Sequence, residues 1–173
     1  REFMPSIIIY FSRAGENYVG GSIQRLETGN TEIAARLLQQ ETQGEIFRLE
    51  PKTPYSDLYR ECVAQAREEM QRDARPALAA YPQSMEKYDT VYLAYPNYCG
   101  TMPMPVFTFL EHYDFTGKTI CPLCTHEGSG MGHSEEDIRR LCPGATVKAG
   151  LAVRGAQAAQ AGPAIHAWIT SQR

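Results

Sequence analysis

Ser6-Ile7-Ile8-Ile9-Tyr10-Phe11 runs directly into Ser12-Arg13-Ala14-Gly15, and the order of these two stretches decides the fold. The first is short, continuously apolar and rich in β-branched residues, which is how a strand covered on both faces by helices reads. The second is a short loop, rich in polar and small residues, that leads by way of a detour into a helix. Four further strand candidates repeat the pattern at Glu45 to Leu49, Thr90 to Tyr95, Thr119 to Cys124 and Thr146 to Val153. Helical spacing separates them. Ile33, Ala34, Leu37 and Leu38 share one face of a helix over 31–40 that Asn30 is placed to cap, and Leu58, Cys62, Val63, Ala66 and Met70 share another between Ser56 and Met70. Pro103 and Pro105 suit the start of a third helix, Ser134 with Asp137 reads as a capping box for a fourth, and a fifth runs from Pro163 through Ile165, Trp168 and Ile169. Strict alternation of strand and helix predicts an α/β chain: a three-layer, doubly wound, five-stranded parallel sheet in the order 2-1-3-4-5. In such a sheet ligands sit outside the C-terminal ends of the strands where the order reverses, so the loops after strands one, three and four carry the interest.

The length of 173 residues suits one domain, expected over 5–173, while Arg1-Glu2-Phe3 ahead of Met4 reads as a vector-derived remnant before the native start. Apolar residues at 43% and charged residues at 21% are ordinary for a globular chain. A net charge of −3 with scattered Lys and Arg argues against nucleic acid, and the apolar run at Ile7 to Phe11 is far short of a membrane span. Five cysteines, an odd number in a chain too large to need stapling, point to a reducing cytoplasm.

After the first strand, Ser12-Arg13-Ala14-Gly15 is followed by a detour over 16–27 and then by Thr28-Gly29-Asn30-Thr31 at a helix start. Hydroxyls, glycines and free N–H groups at a helix N-terminus make a phosphate cradle or, equally, an ordinary cap. The detour holds Tyr18-Val19-Gly20-Gly21-Ser22-Ile23, a hairpin signal and an expected flap. After the third strand, Pro96-Asn97-Tyr98-Cys99-Gly100 is expected to present an exposed aromatic for stacking a planar ring. After the fourth, Thr125-His126-Glu127-Gly128-Ser129-Gly130 is glycine-rich beyond the needs of a turn, as close approach of backbone to a ligand would require. His126-Glu127 reads either as a proton donor or as solvent-facing.

Three tempting patterns are set aside. Cys121-Pro122-Leu123-Cys124 spells C-x-x-C inside a strand, where positions three apart point to opposite faces. Gly117-Lys118-Thr119 precedes a strand rather than a helix and reads as a turn, not a phosphate loop. Cys124, His126 and His133 lack a fourth ligand, so no metal site is expected.

Taken together and in order, Tyr-Phe-Ser-Arg-Ala-Gly (10–15), Thr-Gly-Asn-Thr-Glu (28–32), Tyr-Pro-Asn-Tyr-Cys-Gly-Thr (95–101) and Thr-His-Glu-Gly-Ser-Gly (125–130) resemble the flavodoxins, in a branch with an insertion in the first loop. The resemblance implies FMN as cofactor. It implies that Ser12, Arg13, Ala14, Asn17, Gly29, Asn30 and Thr31 surround its phosphate, that Pro96, Asn97, Tyr98, Cys99 and Gly100 lie along its ring, and that Thr125, His126, Glu127, Gly128, Ser129 and Gly130 close over the other side. The function implied is electron transfer to a redox partner protein or a small quinone-like acceptor. An FMN-dependent NAD(P)H:quinone oxidoreductase and a flavin-free ligand-sensing module of the same fold are the alternatives; a response regulator is disfavoured because no acidic pair follows the first strand.

Overall fold

Isoleucines at 7, 8 and 9 place β1 (Ser6–Tyr10) at the centre of the sheet, because a strand apolar on both sides is stable only where both faces are covered. The computed structural model describes residues 5–172, and the expected remnant and start Met at 1–4 lie outside the described residues. β1 leads into an antiparallel hairpin, β2 (Gly15–Val19) and β3 (Ser22–Leu26), turning at Gly20-Gly21 as expected. There follow α1 (Asn30–Thr42), β4 (Glu45–Arg48), α2 (Tyr59–Gln71), β5 (Thr90–Pro96), α3 (Met104–His112), β6 (Thr119–His126), α4 (Ser134–Leu141), β7 (Thr146–Val147), β8 (Leu151–Arg154), a 3-10 turn (Gly155–Gln160) and α5 (Gly162–Ser171).

The parallel sheet has the order β4-β1-β5-β6-β7, with β8 also paired to β6. This is the expected 2-1-3-4-5 arrangement with one difference: the fifth strand is broken into β7 and β8. β6 bonds β7 at Thr119 and Ile120, then β8 from Leu123 to His126. Between them the chain leaves the ladder, and its polar groups find other partners. The Gly150 N–H donates to Glu135 at 2.7 Å, and the Trp168 indole N–H donates to the Ala149 carbonyl at 3.0 Å.

Two apolar layers sandwich the sheet. One gathers Ile7, Ile9, Phe11, Leu93, Tyr95 and Cys124 with α3 and α4; the other gathers Ile8, Tyr10, Ala94, Cys121 and Leu123 with α1 and α5. Cys121 and Cys124 thus lie on opposite faces of β6, as strand alternation requires, and burial pushes their thiols up to about 11 and about 12. Lys118 sits in a turn and donates to the Met85 carbonyl at 2.7 Å.

Two helix starts differ from expectation. Asn30 is the first residue of α1, and Gly29 holds the capping position without a side-chain bond, because Ser12 takes over the role: its Oγ accepts the Glu32 N–H at 3.1 Å. Ser134 and Asp137 form no capping box. The Ser134 hydroxyl donates to the Met131 carbonyl and accepts from the Tyr95 hydroxyl at 2.8 Å, while Asp137 pairs with His133 and Arg140. Among the described residues, no helix is long and apolar enough to cross a membrane.

Candidate functional site

The loops after β1, β5 and β6 converge at the C-terminal edge of the sheet around a cavity of about 400 Å3. Lateral bonds fix them to one another. The Asn97 N–H donates to the Thr125 carbonyl at 2.8 Å, and its side-chain amide donates to the Gly130 carbonyl at 3.0 Å while accepting from the Gly100 N–H at 2.9 Å. The His133 N–H donates to the Gly100 carbonyl at 2.8 Å. Gly132, at φ 56°, lies so close to this second loop that a Cβ would sit 2.6 Å from the Gly100 carbonyl carbon. Part of the glycine content near the third loop therefore serves loop-to-loop contact rather than a ligand.

Main-chain donors gather at and beside the cavity where the first loop meets the start of α1. Among the described residues, the N–H groups of Ser12, Arg13 and Ala14 in the first loop and of Asn30 and Thr31 at the start of α1 have no hydrogen-bond acceptor. Unsatisfied N–H groups from a loop and a helix N-terminus form an anion-binding concavity, reinforced by the helix dipole. Beside them Thr31 and Thr125 are buried with their hydroxyls 2.7 Å apart. A Cβ on Gly29 would strike the Ser12 hydroxyl, and one on Gly155 would lie 2.7 Å from Asn30 Nδ2, so the surrounding chain closes tightly on this corner.

Most of the residues expected from sequence line the cavity: Ser12, Arg13, Asn17, Asn30, Thr31, then Pro96, Asn97, Tyr98 and Cys99, then Thr125, His126, Glu127 and Ser129. Ala14, Gly29, Gly100, Gly128 and Gly130 are not among the lining residues. Arg13 differs in its role. Its Nε and one Nη donate to the Ser56 carbonyl at 3.0 and 2.7 Å, and the other Nη donates to the Glu16 carbonyl. The guanidinium is a brace between the first loop and the approach to α2. Asn17 likewise donates to the Arg13 and Gly15 carbonyls at 3.1 and 3.2 Å, folding the loop on itself.

Tyr98 is half-buried rather than exposed. Its ring meets Phe11 and Tyr55 edge to face, at centroid distances of 5.7 and 5.8 Å, and its hydroxyl lies 3.7 Å from Cys62 Sγ. Burial is the chief reason that both this phenol and the Cys62 thiol are held above their ordinary values. The next residues, Cys99 and Gly100, both have positive φ, giving a tight turn closed by Tyr98 and Thr101.

Sequence reading missed the opposite wall. Tyr59, Cys62, Val63, Ala66 and Arg67 line the cavity from α2, Tyr18 from the hairpin, and Gly155 from the 3-10 turn. The 3.6-residue spacing of the α2 set was visible, but it reads as a core stripe. What distinguishes it is the polar pair at its two ends, Tyr59 and Arg67. Tyr18 leans on Tyr59 with ring centroids 6.2 Å apart, so the hairpin does flank the cavity. Its tip is anchored by Glu127, which accepts the Gly20 N–H at 2.9 Å with one oxygen and the Ala156 N–H at 2.9 Å with the other. His126 Nδ1 accepts the Gly128 N–H at 2.8 Å, which assigns the ring proton of the neutral imidazole to Nε2.

The family model described as Flavodoxin matches residues 6–172. Among solved structures, the chain is similar to a provisionally assigned flavoprotein from Bacteroides uniformis ATCC 8492, with 25% identity, a TM-score of 0.77 and coverage of 98% of this chain and 99% of that one. A second from Bacteroides eggerthii DSM 20697 gives 25% identity, a TM-score of 0.76 and 96% of each chain. The fold is shared by a flavoprotein from Lactobacillus acidophilus NCFM solved in complex with FMN, at 15% identity and a TM-score of 0.65, over 91% of this chain and 98% of that one. No curated protein matches the chain.

Proposed function

The chain belongs to the flavodoxin family, and from that premise we propose that it binds one FMN non-covalently in the cavity described above and acts in electron transfer. The observation that carries this reading is the pairing of two unlike ends in one cavity. A concavity of unbonded N–H groups suits a phosphate, and an aromatic-lined region bounded by Tyr98 and Tyr59 suits a planar ring. When bound, FMN supplies the redox chemistry, and the protein supplies binding, orientation and electrostatics.

In this reading the N–H groups of Ser12, Arg13, Ala14, Asn30 and Thr31 hold the phosphate, and the Asn30 amide and the Ser12 hydroxyl stand beside it. The loops 96–100 and 125–130 flank the ring, Tyr98 forming one wall and Tyr59 the far one. The hairpin, tied down by Glu127, limits the access of water at the Tyr18 side. Neutral His126 offers an Nε2–H donor at the cavity wall, while Glu127, with both oxygens engaged, serves as a latch. All five cysteines are free thiols, which suits a reducing compartment. Reduced flavin in this cavity would pass electrons to a partner protein or to a small planar acceptor such as a quinone, and the Val63 and Ala66 side of α2 offers apolar contact for the latter.

A visible spectrum of the purified protein and a fluorescence titration of stripped protein with FMN test the reading. Saturable one-to-one quenching is expected, and riboflavin, which lacks the phosphate, is expected to bind about 100-fold more weakly, the equivalent of losing one or two charge-assisted hydrogen bonds. Protein that stays colourless and leaves FMN fluorescence unchanged would instead support the flavin-free module.

A further inference from the structure

Three groups with formal charge line the cavity: Arg13, Glu127 and Arg67. The first two are spent internally. Arg13 donates to the Ser56 and Glu16 carbonyls, and each Glu127 oxygen accepts a backbone N–H. Arg67 has no hydrogen bond or ion pair among the described residues, in contrast to Arg72 just past the end of α2, which is 3.3 Å from Glu68. The helix itself offers Arg67 no counter-ion: the positions three and four residues away are Val63, Ala64, Met70 and Gln71. An unpaired guanidinium thus stands at the C-terminal end of the stripe that Tyr59, Val63 and Ala66 contribute to the cavity from α2.

We propose that this end of the cavity recognises a small planar anion: an aromatic electron donor or acceptor bearing a carboxylate, sulfonate or phosphate, its ring laid along the α2 stripe and its charge on Arg67. The proposal rests on the flavin reading of the same cavity and deepens it by naming the substrate class. The apolar stripe supplies contact area without selecting charge. Arg67 supplies the selection, since a planar guanidinium with five donors matches a carboxylate or sulfonate in geometry as well as sign. The chain as a whole carries −3, so attraction of an anion depends on this local cation rather than on the net field.

The test uses a redox-inert pair of probes of nearly equal shape, naphthalene-2-sulfonate and the neutral naphthalene-2-sulfonamide, titrated into oxidised, FMN-loaded protein and read by perturbation of the flavin visible spectrum. The sulfonate is expected to bind about tenfold more tightly than the sulfonamide, as one charge-assisted contact implies. R67Q is expected to abolish the difference, R67K to keep most of it, and added salt to weaken the sulfonate alone. Equal affinity in the unmodified protein, no binding of either probe, or a preference that survives R67Q would overturn the proposal. So would a parallel loss of FMN affinity in R67Q, which would assign Arg67 to the cofactor. Failure of the cofactor reading is separately visible, since such protein shows no bound-flavin spectrum before either probe is added.

Discussion

His126 shows how one side chain at the cavity wall couples ligand geometry to acid stability. Burial first, and the charge of Arg154 second, hold its pKa below the ordinary 6.5, against a smaller opposing pull from Glu127. The unfolded chain therefore binds this proton more readily than the folded one. The sign follows: the contribution of His126 is complete above pH 6.5 and is lost as the pH falls through the lower folded value. Urea midpoints taken between about pH 7.5 and about pH 5 are expected to fall with acid in the unmodified protein and to fall less in His126→Asn; equal slopes would exclude the imidazole as the source. At this scale the sequence told the position of residues better than their office. Arg13, Asn17 and Asn97 were recognisable as residues near the cavity, yet Arg13 and Asn97 are occupied with carbonyls of neighbouring loops that no local pattern specifies, and Asn17 with carbonyls of its own loop. Tyr98 was recognisable as the aromatic of the second loop, but its half-buried state depends on Phe11 and Tyr55, distant along the chain.

Among the elements, the hairpin β2–β3 depends most on contacts made outside itself. A two-stranded ribbon is marginal alone, and most of β3 is exposed. Its anchors include the Glu127 carboxylate at the tip, the Glu16 N–H donating to the Asp57 carbonyl and the Glu16 carboxylate accepting the Tyr59 N–H, both at 3.0 Å, the Tyr18–Tyr59 contact, and the Arg25–Asp57 pair at 2.6 Å, largely exposed and so of small value. Glu127→Ala is expected to free the tip and to lower the protection of amides near Val19 to Ser22 by about 1–3 kcal/mol in hydrogen exchange, the usual range for a lost charge-assisted bond, with amides of β1 and β5 little changed. Uniform loss across the sheet would show instead that the latch supports the whole fold. The Gly20-Gly21 pair made this hairpin legible, as hydrophobic runs made the five strand positions legible. Helix caps were not: Ser12 satisfies the first turn of α1 from another loop, and Ser134 is drawn away by Tyr95. Strand patterns are local, whereas a borrowed cap is tertiary.

For the molecule as a whole, a ligand that binds the folded chain and not the unfolded one couples binding to stability. At 100 times its dissociation constant, FMN is expected to stabilise the chain by about 2.7 kcal/mol, raising the melting temperature by roughly 5–11 °C for a chain of this size. A melting curve with and without FMN checks this, and no shift at saturating FMN would contradict binding to the folded state. The order of the sheet was legible because alternating strands and helices with right-handed crossovers leave few topologies. The break in its last strand was not, since it depends on Trp168 and Glu135 reaching a segment they do not adjoin in sequence. That break shapes how the molecule meets its own kind. One margin of the sheet is β4, four residues long, with Glu45 and Arg48 at its ends in ion pairs with Lys87 and Glu32; the other is β7 and β8, of two and four residues, offset by the detour between them. Neither margin offers a straight run of free peptide groups long enough to template another chain, so the fold carries a built-in guard against edge-to-edge aggregation.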